Sequence, residues 1–291
     1  RCTSCPAGKF LTDNGTSPES HDSSAECEKC KPGLFSYVGS ETCTACRAGK
    51  YLEGDLFDLT THNSENDCVT CAAGRYSALG ASFCTQCNAG RYLYDDAVHF
   101  YQHSEKDQCL LCPTGTFSLE GSRQCTICPT GKYLEDNKTY PEAHDHPNDC
   151  ITCSSGKWSF NGSNYCISCV AGTALLDDGI DHMEHSSVNQ CIICGSGKWS
   201  SLHSATCTDC YAGTYLLDDR NSAFLHDDIQ DCTVCASGQW STKSSASCLS
   251  CTAGKFISDH SLAISAHNSI EDCRVCRPGQ WSNVGSATCT A

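Results

Sequence analysis

The sequence predicts a small disulfide-rich fold, mostly irregular with short β-hairpins, laid out as a linear tandem array of seven 41-residue repeats forming an elongated rod. Three observations predict it. Cys-x-x-Cys doublets open at Cys2, Cys43, Cys84, Cys125, Cys166, Cys207 and Cys248, and another begins at Cys289, always 41 residues apart. A second series opens at Cys27, Cys68, Cys109, Cys150, Cys191, Cys232 and Cys273 with the same interval. Cysteine makes up 29 of the 291 residues, the density of a disulfide scaffold.

The repeats run 2–42, 43–83, 84–124, 125–165, 166–206, 207–247 and 248–288, and 289–291 starts a truncated further one. No repeat is longer or shorter than another. A unit of this size buries too little apolar surface to stand alone, so cross-links and neighbours must hold it.

Paired doublets also have the ligand spacing of four-cysteine zinc sites. Three features favour disulfides. The sequons at Asn14, Asn137 and Asn161 have meaning only in a secreted chain. Zinc knuckles want Gly directly after the second Cys, whereas here it stands three residues later, as at Gly8, Gly33, Gly49 and Gly74. Lys and Arg total only 19, few positive neighbours for a thiolate-rich site. Thioredoxin-type chemistry has no use for fourteen doublets in one chain.

Spacers of 12 and 21 residues alternate between doublets, as from Cys30 to Cys43 and from Cys46 to Cys68. Four cysteines allow three connectivities, and the spacing does not choose among them. The compact option interlocks two doublets across the short spacer, Cys27 with Cys43 and Cys30 with Cys46. Each bridge then closes a loop of about 15 residues, worth about 3 kcal/mol of chain entropy.

After each doublet the same elements follow. The Gly predicts a turn in a conformation other residues resist. Two residues later stands an aromatic: Phe10, Tyr51, Tyr92, Tyr133, Tyr215 and Phe256 in the first series, with Ala174 the exception. In the second series it is Phe35, Tyr76, Phe117, Trp158, Trp199, Trp240 or Trp281, each followed by Ser. A short strand is expected here, its aromatic covering a disulfide.

The 21-residue segment carries His21, His62, His103, His144, His185, His226 and His267 in one slot. Asp13, Asp95, Asp136, Asp177, Asp218 and Asp259 share another, with Asp55 displaced by one. An acid usually precedes the second doublet (Glu26, Asp67, Asp149, Asp231, Asp272), replaced by Gln108 and Gln190. Ca²⁺ is the ion such oxygens suggest, but the Asp-x-Asp-x-Asp-Gly rhythm is missing and His is a poor calcium ligand. His103 with Asp95, and His144 with Asp136, are the candidate metal ligands. The reading preferred over a metal is a His packed or hydrogen-bonded alike in every repeat, and an Asp making a local turn. No cofactor is otherwise expected, and no nucleophile–base pair or phosphate loop stands out, so the chain is expected not to be an enzyme.

A net charge of −15 argues against nucleic acid and anionic membrane as partners. No apolar run is long enough to span a membrane.

The stretches CTACRAGKYL, CVTCAAGRYSALGASFCTQC and CRVCRPGQWSNVGSATC resemble the ephrin-receptor-like cysteine-rich repeat, related to tumour-necrosis-factor-receptor modules. The shared pattern is Cys-x-x-Cys-x-x-Gly-x-aromatic-Ser, a Gly/Ser turn and a second Cys-x-x-Cys. The 21-residue segment departs from animal receptors and resembles long extracellular repeat proteins of algae and other protists. The resemblance implies hairpins with first-to-third and second-to-fourth bridges. Carried onto this chain it pairs Cys27–Cys43, Cys30–Cys46, Cys68–Cys84, Cys71–Cys87, Cys109–Cys125, Cys112–Cys128 and Cys150–Cys166. It continues with Cys153–Cys169, Cys191–Cys207, Cys194–Cys210, Cys232–Cys248, Cys235–Cys251 and Cys273–Cys289. Cys2, Cys5 and Cys276 are left over and the doublet opened by Cys289 lacks its second cysteine, which fits an array continuing beyond both ends or cross-linking between chains.

A period kept without insertion suggests a length selected for register. The expectation is a secreted, glycosylated structural protein that self-associates, forming or belonging to an extracellular filament, stalk or flagellar hair. The alternative is the ectodomain of a cell-surface receptor or adhesin for a protein or carbohydrate. A seven-bladed propeller fits the count but has no place for the cysteines.

Overall fold

The computed structural model describes all residues except 1–2, 13–14, 16–17, 55–61, 95–98, 136–139, 177–180, 218–221 and 259–262. Its regular structure consists of two-residue strands and one-turn 3-10 helices, with no longer helix among the described residues. By compactness the chain divides into one unit of Arg1–Cys128 with Leu134–Cys150 and another of Pro129–Tyr133 with Ile151–Ala291.

In the first unit, Lys9–Phe10 pairs antiparallel with Glu28–Lys29, Leu34–Phe35 with Thr44–Ala45, and Lys50–Tyr51 with Val69–Thr70. Arg75–Tyr76 with Thr85–Gln86, Arg91–Tyr92 with Leu110–Leu111, and Thr116–Phe117 with Thr126–Ile127 follow. The second unit repeats the arrangement from Lys132–Tyr133 with Ile151–Thr152 to Lys255–Phe256 with Arg274–Val275. The array is therefore one of disulfide-bonded hairpins, as the sequence predicts.

The disulfide pairing differs from the expectation. Each bridge joins consecutive cysteines: Cys5–Cys27, Cys30–Cys43, Cys46–Cys68, Cys71–Cys84, Cys87–Cys109, Cys112–Cys125 and Cys128–Cys150 in the first unit. The second holds Cys153–Cys166, Cys169–Cys191, Cys194–Cys207, Cys210–Cys232, Cys235–Cys248, Cys251–Cys273 and Cys276–Cys289. The interlocked pairs Cys27–Cys43, Cys30–Cys46, Cys68–Cys84, Cys71–Cys87, Cys109–Cys125, Cys112–Cys128 and Cys150–Cys166 do not form. Nor do Cys153–Cys169, Cys191–Cys207, Cys194–Cys210, Cys232–Cys248, Cys235–Cys251 and Cys273–Cys289. Cys2 lies outside the described residues.

Strand geometry explains the correction. From Cys27 to Cys276 the two residues inside each doublet are themselves a strand, as Thr44–Ala45 is between Cys43 and Cys46. Side chains alternate along a strand, so cysteines three apart leave on opposite faces. One closes the hairpin behind it and the other opens the hairpin ahead. Chain entropy does not oppose this. Loops of 13 and 22 residues are worth about 2.9 and 3.4 kcal/mol, against about 3.1 for each interlocked loop. With the sums equal, the direction of the side chains decides.

Successive hairpins stack through the turn glycines. In the first unit the N–H groups of Gly33, Gly49, Gly74 and Gly90 donate to the carbonyls of Leu52, Ser77, Leu93 and Ser118 at 2.8–2.9 Å. In the second, Gly156, Gly172 and Gly197 do the same to Leu175, Ser200 and Leu216. Gly74 shows why no side chain fits there: its φ is +77° and a Cβ would lie 2.0 Å from the Gly121 oxygen.

Each small core forms around a long-loop bridge. Phe35 and Leu52 cover Cys46 and Cys68, and Phe117 and Leu134 cover Cys128 and Cys150. In the second unit Trp158 and Leu175 cover Cys169. Phe35, Phe117 and Trp158 are thus lids on the next bridge, whereas second-series Tyr76, Trp199 and Trp240 are half-buried, as are first-series Tyr51, Tyr92 and Tyr133. Trp281 is 55% exposed.

Candidate functional site

The recurrent polar residues converge on one arrangement, built from three successive hairpins. In the first unit, Ser77 follows the strand Arg75–Tyr76. Its hydroxyl donates to the Lys50 carbonyl at 2.8 Å, and its N–H donates to the His103 carbonyl at 2.9 Å. His103 closes the one-turn helix Phe100–His103, and its Nδ1 lies 2.6 Å from the Arg75 carbonyl. A carbonyl only accepts, so Nδ1 carries the proton. Ser77 is 1% and His103 0% exposed, so these bonds are made away from water, where an unmade one would be expensive.

The arrangement recurs within each unit. Ser36 and Ser118 bond the Lys9 and Arg91 carbonyls, and Ser159, Ser200, Ser241 and Ser282 bond those of Lys132, Thr173, Thr214 and Lys255. His62 and His144 reach the Leu34 and Thr116 carbonyls, and His185, His226 and His267 reach those of Lys157, Lys198 and Gln239. Each serine reaches 27 residues back and each histidine 28. His21, in the same slot, is exposed.

For the predicted metal ligands, His103 and His144 are buried with Nδ1 committed to a carbonyl, which removes that nitrogen as a ligand. Asp95 and Asp136 lie outside the described residues, as do the other acids of that slot. No group of three His, Cys, Asp or Glu among the described residues is placed to hold a metal ion.

The acid before the second doublet has a different role. Asp67 accepts from the Ser64 N–H at 3.0 Å, Asp149 from His146 at 2.8 Å, and Asp231 from Asp228 at 3.0 Å. These are capping boxes on one-turn helices. Gln108 and Gln190 perform the same act through Oε1, accepting from Glu105 and Ser187. Their amide N–H groups also donate to the Tyr101 and Met183 carbonyls. An acceptor oxygen is required at this position and a negative charge is not, which argues against a calcium ligand. The signal was in the sequence as Ser64-x-x-Asp67 and Ser187-x-x-Gln190, whereas nothing local foretold the serine and histidine acceptors.

One charged cluster stands apart. Asp209 Oδ1 meets Lys198 Nζ at 2.8 Å and Oδ2 meets Lys243 Nζ at 3.0 Å. Bonds from Lys198 first, then Lys243 and Ser244, hold its carboxyl well below the usual carboxylate range. No protein-family model matches the chain, and no curated protein matches it. No helix among the described residues is long and apolar enough to cross a membrane. The geometry is that of a mechanical joint: within each unit, hydroxyl and imidazole protons fasten successive hairpins to one another.

Proposed function

We propose that this chain is a secreted structural protein that self-associates, forming or belonging to an extracellular filament, stalk or flagellar hair. The observation that carries the reading is the fixed 41-residue period, joined to the serine and histidine bonds that recur at constant offset within each unit. Extracellular placement is supported by the pairing of all 28 described cysteines, since disulfides persist in oxidising compartments. The three sequons support a glycoprotein. Kinship with the ephrin-receptor-like repeat rests on the Cys-x-x-Cys-x-x-Gly-x-aromatic-Ser pattern; the bridges that kinship implied do not carry over.

A receptor or adhesin ectodomain is the second reading. The exposed Tyr37, Phe83, Phe160 and Tyr165 in the hairpin-tip loops favour it, because rigid aromatics make good contact area. Electron microscopy of native, unreduced material separates the two. Long filaments with a regular axial period, lost on reduction, support the structural reading. Short separate particles of uniform length would sink it and favour the receptor.

A further inference from the structure

Each second-series hairpin ends in the same tip turn. Its third residue is left-handed in all seven repeats: Gly39, Gly80, Gly121, Gly162, His203, Ser244 and Gly285 have φ between 62° and 76°. The residue just before it is exposed in every repeat. Val38 is 69%, Leu79 70%, Leu202 53% and Val284 67% exposed, so the turn directs this side chain into solvent whatever its chemistry. In the fourth repeat the slot holds Asn161, and Gly162-Ser163 completes a sequon. The other two sequon asparagines, Asn14 and Asn137, lie outside the described residues.

A second observation concerns the surroundings of Asn161. Phe160 is 57% exposed, yet its ring stands edge-on to the buried Trp158 with centroids 4.7 Å apart. That contact holds the ring while leaving an apolar surface bare. Tyr165, in the same loop, is 63% exposed. Bare aromatic surface beside an outward amide suits the first sugar of an N-linked glycan, whose CH groups pack on aromatic faces while its hydroxyls stay in water.

We propose that Asn161 carries an N-linked oligosaccharide whose proximal N-acetylglucosamine covers the Phe160 and Tyr165 tip. This rests on the extracellular reading above. The donor class is a lipid-diphosphate oligosaccharide. The Asn161 Nδ2–C1 bond forms as the C1–O bond to the diphosphate breaks. The lipid diphosphate leaves with the electron pair, and one amide proton passes to the transferase. The sugar sheathes this one tip, while the tips bearing Val38, Leu79, Leu202 and Val284 stay bare for contact.

The test uses the native protein. Peptides containing Asn161 are analysed by mass spectrometry before and after enzymatic deglycosylation in H₂¹⁸O. Uptake of ¹⁸O at Asn161 is the expected result; deamidation of the Asn-Gly bond before treatment would carry ordinary oxygen instead. Unmodified or merely deamidated Asn161 in secreted material overturns the site. Hydroxyl-radical footprinting of the intact protein tests the seating. Deglycosylation is expected to raise labelling of Phe160 and Tyr165 several-fold and leave Leu79 and Phe83 unchanged; an unchanged footprint overturns it. Recovery of the protein only from the cytosol, with free thiols, would overturn the extracellular reading itself and would be recognised by thiol labelling.

Discussion

Replacing His103 with alanine is the most direct probe of the joint between repeats. The substitution leaves the Arg75 carbonyl without its donor, a loss of about 1–3 kcal/mol for a buried acceptor. It also empties a fully buried site. An imidazole of about 65 Å³ gives about 1.5 kcal/mol at ~24 cal/mol per Å³ of cavity. Together these make about 3 kcal/mol, or about two orders of magnitude in a local opening constant. Because Cys71–Cys84 and Cys87–Cys109 still hold the chain, the damage is expected as local opening and not as global unfolding. Hydrogen exchange of the oxidised protein, read by mass spectrometry, should show the amides around Ser77, whose own N–H donates to the His103 carbonyl, losing about a hundredfold in protection. A change below about threefold around Ser77 would refute the reasoning, since about 0.7 kcal/mol is less than one ordinary buried hydrogen bond contributes.

Gly74→Ala should destabilise sharply, because left-handed backbone costs about 1–2 kcal/mol for an L-residue and its Cβ would meet the Gly121 carbonyl at 2.0 Å. Gly195→Ala, with open space around its Cβ, should leave the melting temperature nearly unchanged, and equal melting of the two variants would contradict the packing described. In the first unit, graded reduction followed by alkylation and peptide mapping should open the short-loop bridges first. Cys43, Cys84 and Cys125 are partly exposed, whereas Cys46, Cys68, Cys87 and Cys109 are buried, and thiol exchange needs access. Simultaneous labelling of both classes would count against that order.

The period, the glycine turns, the aromatic lids and the choice of disulfides over zinc were all legible, because each is written in spacing and residue type. The pairing was not. It turns on the doublet's inner residues being a strand, and the two schemes have the same loop entropy, so loop length alone misleads. Leu52 and Leu134 carry no mark in the sequence beside the larger neighbouring tyrosines, yet alternation along the chain buries the leucine and leaves the ring half out. The histidine slot was visible, but its acceptor 28 residues upstream is a product of stacking and has no local mark. The capping boxes did have one, and the exchange of Asp149 for Gln190 at the same slot already pointed to an acceptor and away from a metal.

Why, then, does every repeat have the same length? The joints fix the hairpins, where one extra residue would move a serine or histidine off its carbonyl. In the loop closed by Cys46–Cys68 they hold Leu52 and His62, but among the described residues they set no length between those two, and lengthening a 22-residue loop by one adds only about 0.04 kcal/mol of closure entropy. Recent duplication does not account for the constancy either. Residues 52–68 and 175–191, equivalent by register, differ at 10 of 17 positions, so substitutions accumulated while length did not change. On the proposed function, a constraint beyond these joints acts on the stretch between them. Contact with a neighbouring chain in register would supply it, since an insertion in one repeat would shift the match of every repeat beyond it. A receptor that binds through a few of its repeats imposes no such condition on all seven, and on this ground the filament reading is preferred.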